Sequence, residues 1–156
     1  MGYALQSLLR IRLMREDRAS SELTAARQAV TRAQEFLDAR KRELETYNQT
    51  REERRDRIYA SVMGRPVTRE QLDLVQEGVT RIDEEGTLKA DNVARAESDL
   101  HTREKAAEDA RGNFVLATKN RMKIDEHKAD WLARDAKEQD ARAEGELEDF
   151  TGRKQE

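Results

Sequence analysis

Apolar residues recur along this chain with a period of seven over two long stretches, separated by one short break. In the first stretch Leu9, Glu16, Leu23, Val30, Leu37, Leu44, Arg51 and Ile58 form one row. Three residues after each comes a second row of Arg12, Ala19, Ala26, Ala33, Arg40, Tyr47 and Arg54, so that 10 of the 15 positions are apolar. Beyond the break, Leu72, Val79, Gly86, Val93, Leu100, Ala107, Phe114, Arg121 and Lys128 form one row. Val75, Ile82, Lys89, Ala96, Arg103, Ala110, Ala117, Ile124 and Trp131 form the other, and 13 of these 18 are apolar. A heptad held this long keeps one narrow stripe turned toward a partner helix, which is the pattern of a left-handed coiled coil. The stripe is too narrow for a globular core.

Helix 1 is expected over about residues 4–62, where no proline or glycine intervenes and good helix formers dominate. At 1.5 Å per residue such a helix is a rod of roughly 87 Å. The break is Met63-Gly64-Arg65-Pro66-Val67: Gly64 can end a helix in the left-handed conformation, and Pro66, the only proline, prevents its continuation. Thr68-Arg69-Glu70-Gln71 then reads as a capping box that opens helix 2. Helix 2 is expected over about 68–148, with a frayed tail over 149–156. A connection of about five residues favours antiparallel neighbours. The expected fold is therefore all-α, a single antiparallel two-helix coiled-coil hairpin over 1–156 with a C-terminal helical overhang. Counting outward from the turn pairs Ile58 with Leu72 and Val75, Leu37 with Val93 and Ala96, Val30 with Leu100, and Leu23 with Ala107 and Ala110. It also sets Gly86 and Lys89 opposite Arg40 to Leu44.

Composition agrees. Charged residues make up 40% of the chain and apolar residues 36%, against about 25% and about 45–50% in an ordinary globular domain. A disordered chain would have no reason to keep an apolar heptad. Thirty basic residues nearly cancel 33 acidic ones, for a net charge of −3, and no continuous basic stripe exists, so no nucleic-acid partner is expected. The longest apolar run, Phe114 to Ala117, is far below the roughly 18 residues of a membrane span, so no stable membrane insertion is expected either. The N-terminus does not read as a secretory signal. With no cysteine, a reducing, cytoplasmic setting is the default.

Chemistry is sparse. A two-helix rod offers no concave pocket, and no phosphate-cradling loop or metal-ligand motif occurs. His101 and His127 lie some 39 Å apart along one helix and read as solvated surface residues. No catalytic residue, metal or cofactor is expected. The run Arg51 to Arg57 reads first as charge pairs on a solvated face, with a docking patch near the turn as the alternative. Gly78, Gly86, Lys89 and Gly112 read as seam defects that set register or permit bending. The two ends differ from the middle. Leu5, Leu8, Leu9, Ile11, Leu13 and Met14 surround helix 1 more widely than one seam requires, interleaved with Arg10, Arg12, Arg15 and Arg18. Such a helix needs more than one neighbour. The segment from Glu138 to Asp149 is acidic.

Two segments go beyond pattern: Leu-Leu-Arg-Ile-Arg-Leu-Met-Arg-Glu-Asp-Arg-Ala at 8–19 and Gly-Arg-Pro-Val-Thr-Arg-Glu-Gln-Leu at 64–72. With the size and layout of the whole chain, they resemble the YscO proteins of bacterial type III secretion, relatives of the flagellar protein FliJ. The resemblance implies a hairpin similar to the central stalk of rotary ATPases. Its terminal end would enter the pore of the hexameric secretion ATPase and the rest would reach toward the export gate protein, with secretion chaperones as partners of some members. Carried onto this chain, the ATPase-binding residues would be Leu5, Leu8, Leu9, Arg10, Arg12, Leu13, Arg15, Trp131 and Arg134. For a gate or chaperone surface no motif transfers, and Tyr47, Arg54, Arg55 and Tyr59 are selected on exposed aromatic and basic character alone. The resemblance places the protein in the cytoplasm, peripheral to the inner-membrane export apparatus. It predicts a monomer in isolation. The competing reading is a structural coiled coil that dimerises or tethers a complex without touching an ATPase.

Overall fold

The computed structural model describes residues 2–152, with side chains described through residue 148. Two helices make up the fold: α1, Gln6–Ala60, and α2, Arg69–Gly152. They pair as an all-α hairpin, as the heptads require. Both helices keep to the expected ranges within a turn at most ends. The N-terminal residues enter α1 through a turn in which the Gln6 amide donates to the Tyr3 carbonyl at 3.1 Å. At its C-terminus α1 unwinds after Ala60, where the amides of Val62 and Met63 both donate to the Tyr59 carbonyl. Gly64 then takes a φ of +73°, the left-handed conformation expected of it. The capping box forms in full: the Gln71 amide donates to Thr68 Oγ1 at 3.2 Å and the Thr68 amide to Gln71 Oε1 at 2.9 Å. α2 continues to Gly152, four residues past the expected end; of the tail expected to fray, residues 153–156 lie outside the described residues.

Packing contacts divide the hairpin into two units. A terminal unit joins the start of α1, up to Thr24, to α2 from Asp109 onward, and a turn-proximal unit runs from Ala25 to Glu108. In the terminal unit the buried apolar residues are Tyr3, Leu9, Ala19 and Leu23; in the turn-proximal unit they are Ala33, Leu37, Tyr47, Ile82 and Ala96. All of these except Tyr3 stand on the heptad rows. Small residues face large ones where Gly78 meets Ile58 and Gly86 meets Tyr47, the packing by which a two-helix interface closes without a wide core.

The pairing near the turn differs from the count made outward from the break. A Cβ at Gly78 would lie 3.1 Å from Ile58 Cδ1, so Ile58 sits over Gly78, while Leu72 is left half-exposed. Tyr47, rather than Arg40 to Leu44, covers Gly86. Partners on α2 thus lie up to about one turn farther along than expected. The reason is steric: Ile58 and Tyr47 are the bulky knobs here, and they settle where α2 lacks a side chain. Gly78 and Gly86 are therefore receptacles as well as weak points, whereas Gly112 faces open space.

Candidate functional site

In the terminal unit the short N-terminal segment folds against α2. Tyr3 is buried, its hydroxyl is hydrogen-bonded to His127 Nδ1 at 2.7 Å, and its ring lies 5.5 Å from that of Trp131. His127 is exposed, as the sequence suggested, and is also reached by Tyr3, which stands off the heptad rows. On α1, Glu16 occupies the seam and accepts from Thr118 Oγ1 of α2 at 2.9 Å and from Arg121 Nε at 2.5 Å. Asp125 accepts a second bond from Arg121. The hydrogen bond from Arg121 to Glu16, with the one to Asp125, raises the guanidinium further above its already high ordinary value. Two polar seam positions, Glu16 and Arg121, therefore satisfy each other.

The nine residues implicated in ATPase binding all fall in this unit, but they do not share one surface. Leu9 is 5% exposed and belongs to the seam. Leu5, Leu8, Arg12 and Trp131 are half-buried, and Leu13, Arg10, Arg15 and Arg134 are exposed. Arg134 also donates to the Asp130 carbonyl of its own helix at 3.3 Å. After the helices pair, Ile11, Leu13 and Met14 on α1 remain open, Met14 at 65%. Val115, Leu116, Met122 and Leu132 on α2 are open as well. The α2 group was missed in the sequence; the available signal was apolar residues lying off the heptad rows. Past Asp135 every described side chain of α2 is exposed, from residue 136 to 148.

The turn-proximal unit is knitted by ions. Asp83 accepts from Arg51 at 2.6 Å and from Arg55 at 2.8 Å, and Arg54 pairs with Glu85 at 2.9 Å. The hydrogen bond from Arg51, aided by the charge of Arg55 and opposed by partial desolvation, holds the Asp83 carboxyl below the usual carboxylate range. The hydrogen bond to Glu85 likewise raises Arg54. Much of the Arg51 to Arg57 run is therefore used across the helix pair. Tyr47, selected for exposed aromatic character, is 4% exposed. Its ring fills the space above Gly86 and its hydroxyl donates to the Ile82 carbonyl, so that premise fails for Tyr47. Arg54 and Arg55 are half-buried, and Tyr59 is open to solvent.

Among the described residues no group of histidine and acidic side chains could hold a metal, and no helix is long and apolar enough to cross a membrane. A family described as "Type III secretion protein YscO" has a model that matches residues 5–153. The fold is similar to the structure of a protein described as a YscO homologue, CT670, from Chlamydia trachomatis. That match has a TM-score of 0.73 at 20% identity, covering 98% of this chain and 93% of that one. No curated protein matches the sequence.

Proposed function

The chain belongs to the type III secretion protein YscO family, and from that premise we propose that it is a non-catalytic central-stalk component of the export apparatus. It is a type III secretion-associated protein; the contacts below are the finer reading. Its terminal unit seats in the pore of the hexameric secretion ATPase. The remainder links that ATPase to the export gate protein and to secretion chaperones, at the cytoplasmic side of the inner membrane. The observation that carries this reading is that Ile11, Leu13, Met14, Leu116 and Leu132 of the terminal unit stay exposed after the helices pair, with exposed Arg10 and Arg15 close to the first three in sequence. An uncovered apolar surface with basic surroundings is a protein-docking surface by default. A hairpin end seated in a ring touches some subunits differently from others, and differential contact is what biases their nucleotide states.

The burial pattern decides which variants test the proposal. Leu13 and Met14 are exposed, so changing both to Asp leaves the seam intact. The expected outcome is loss of stimulation of ATP hydrolysis by the cognate ATPase, with helical content unchanged. Leu9→Asp instead places a charge in the seam and costs about 3 kcal/mol or more of unfolding free energy, read by urea denaturation. Equal ATPase stimulation by the Leu13/Met14 double variant and the native chain would remove the docking surface from the reading. Failure of the native chain to stimulate or co-elute would favour a scaffold that touches no ATPase.

A further inference from the structure

Five seam positions of the turn-proximal unit carry a cation: Arg40, Arg51, Arg54, Lys89 and Arg103. Four have a carboxylate. Arg40 meets Glu43 at 2.8 Å, Arg51 meets Asp83 at 2.6 Å, Arg54 meets Glu85 at 2.9 Å and Arg103 meets Asp99 at 3.3 Å. Lys89 is the exception among these five. It is half-buried, and its ammonium lies 5.9 Å from the centroid of the Tyr47 ring, with no carboxylate in ion-pair range among the described residues. That ring is already approached by Arg54 at 5.5 Å. Two cations beside one ring repel each other, so the ring does not replace an anion for both.

Beside this pair opens a groove of about 560 Å³, lined by Arg42, Thr46, Thr50 and Ala39 together with Tyr47 and Lys89. Arg42 is exposed and has no ion-pair partner among the described residues either. The groove therefore presents two unpaired cations at its wall, next to the aromatic ring and the Ala39 methyl. Glu43 and Glu85 also line it, each already held by an arginine. Those two carboxylates oppose a polyanion such as nucleic acid, so a single carboxylate is the anion that Lys89 and Arg42 favour. We propose that this groove receives a glutamate or aspartate side chain from an acidic segment of a partner protein, with Lys89 and Arg42 as its counter-charges. Tyr47 is then a positioning residue, fixed by Gly86 beneath it and by its bond to the Ile82 carbonyl, which holds the lysine at the groove wall. The inference goes beyond the ATPase contact, which involves the other unit, and stands or falls separately from it.

The test is an NMR titration of the full chain, labelled at tyrosine rings and lysine side chains. The probes are a capped helical peptide of about 16 residues built from Glu, Ala and Leu, the same peptide with Gln for Glu, and inorganic phosphate. The expected result is a saturable shift of the Tyr47 ring and Lys89 signals with the Glu peptide alone, strengthening as salt is lowered. In the Arg42→Gln, Lys89→Gln double variant the affinity should fall roughly tenfold or more, while thermal unfolding stays where it was. No shift with the Glu peptide overturns the proposal, as does an equal shift with the Gln peptide or undiminished binding by the variant. An equal response to phosphate reduces the groove to an adventitious anion site and overturns it too.

Discussion

Three residues show how much a single side chain decides here. Asp83 joins two arginines of α1 to α2, and its carboxyl is held below its ordinary range by them. A carboxylate depressed in the folded state stabilises the fold above its unfolded value of about 3.9, and that contribution is lost as pH falls through the lower folded value. Asp83→Asn should therefore lower stability at neutral pH and flatten its fall below about pH 4, as followed by chemical denaturation across an acid series. Gly86 and Gly112 give a paired prediction. Both sit inside α2, where Ala is favoured over Gly by about 1 kcal/mol. Gly112→Ala meets nothing and should gain about that amount. At Gly86 the new Cβ would come within 3.0 Å of Tyr47 Cε1, and Tyr47 cannot retreat without losing its bond to the Ile82 carbonyl. Gly86→Ala should therefore gain nothing or destabilise, and comparing the melting temperatures of the two variants checks this. The sequence marked both glycines as interruptions of a good helix. It could not tell a receptacle from an exposed weak point, because that depends on what lies opposite.

At the scale of elements, the turn and the caps were legible and the register was not. Gly64, Pro66 and the Thr68–Gln71 capping box act through bonds within a few residues, so their chemistry is local and the sequence carries it. The pairing of α1 on α2 is set by knobs and gaps separated by many residues, such as Ile58 on Gly78, and counting from the turn placed the partners up to a turn too early. The overhang of α2 is a further consequence of element lengths. Its described side chains beyond Asp135 are exposed and make local pairs, as in Arg142 to Glu138 at 3.8 Å and Gln139 to Asp135 at 2.8 Å. A helix without tertiary packing is marginal in water. Hydrogen exchange should show the amides of residues 138–148 as the fastest within the described helix interior of α2, and their protection should rise in complex with the ATPase. Uniform slow exchange in the isolated chain would mean that something else covers the overhang.

For the whole molecule, the near balance of 30 basic and 33 acidic residues leaves no strong overall field, so partner choice falls to local surfaces. The stalk reading predicts that light scattering returns the mass of one chain, 18.1 kDa, in solution. A dimer that reverts to a monomer when Leu13 and Met14 become Asp would show that the open apolar face of the terminal unit meets a second copy. That outcome would support the scaffold reading. The candidate docking residues were only partly legible at this scale: Leu13, Arg10 and Arg15 are exposed, whereas Leu9 and Tyr47 are spent within the hairpin.

The sequence by itself determined the fold class, the two helices, the site of the turn and the residues available for the seam, because helix propensity, capping and heptad periodicity are properties of neighbours along the chain. Only the tertiary structure decided which apolar and charged residues remain for partners. It took Tyr47 and Leu9 out of solvent, matched Glu16 with Arg121 and Asp83 with Arg51 and Arg55, brought Tyr3 onto Trp131, and left Lys89 without an anion among the described residues. The physical reason is that burial and charge pairing across a seam depend on register, and register is fixed by steric fit between residues distant in sequence.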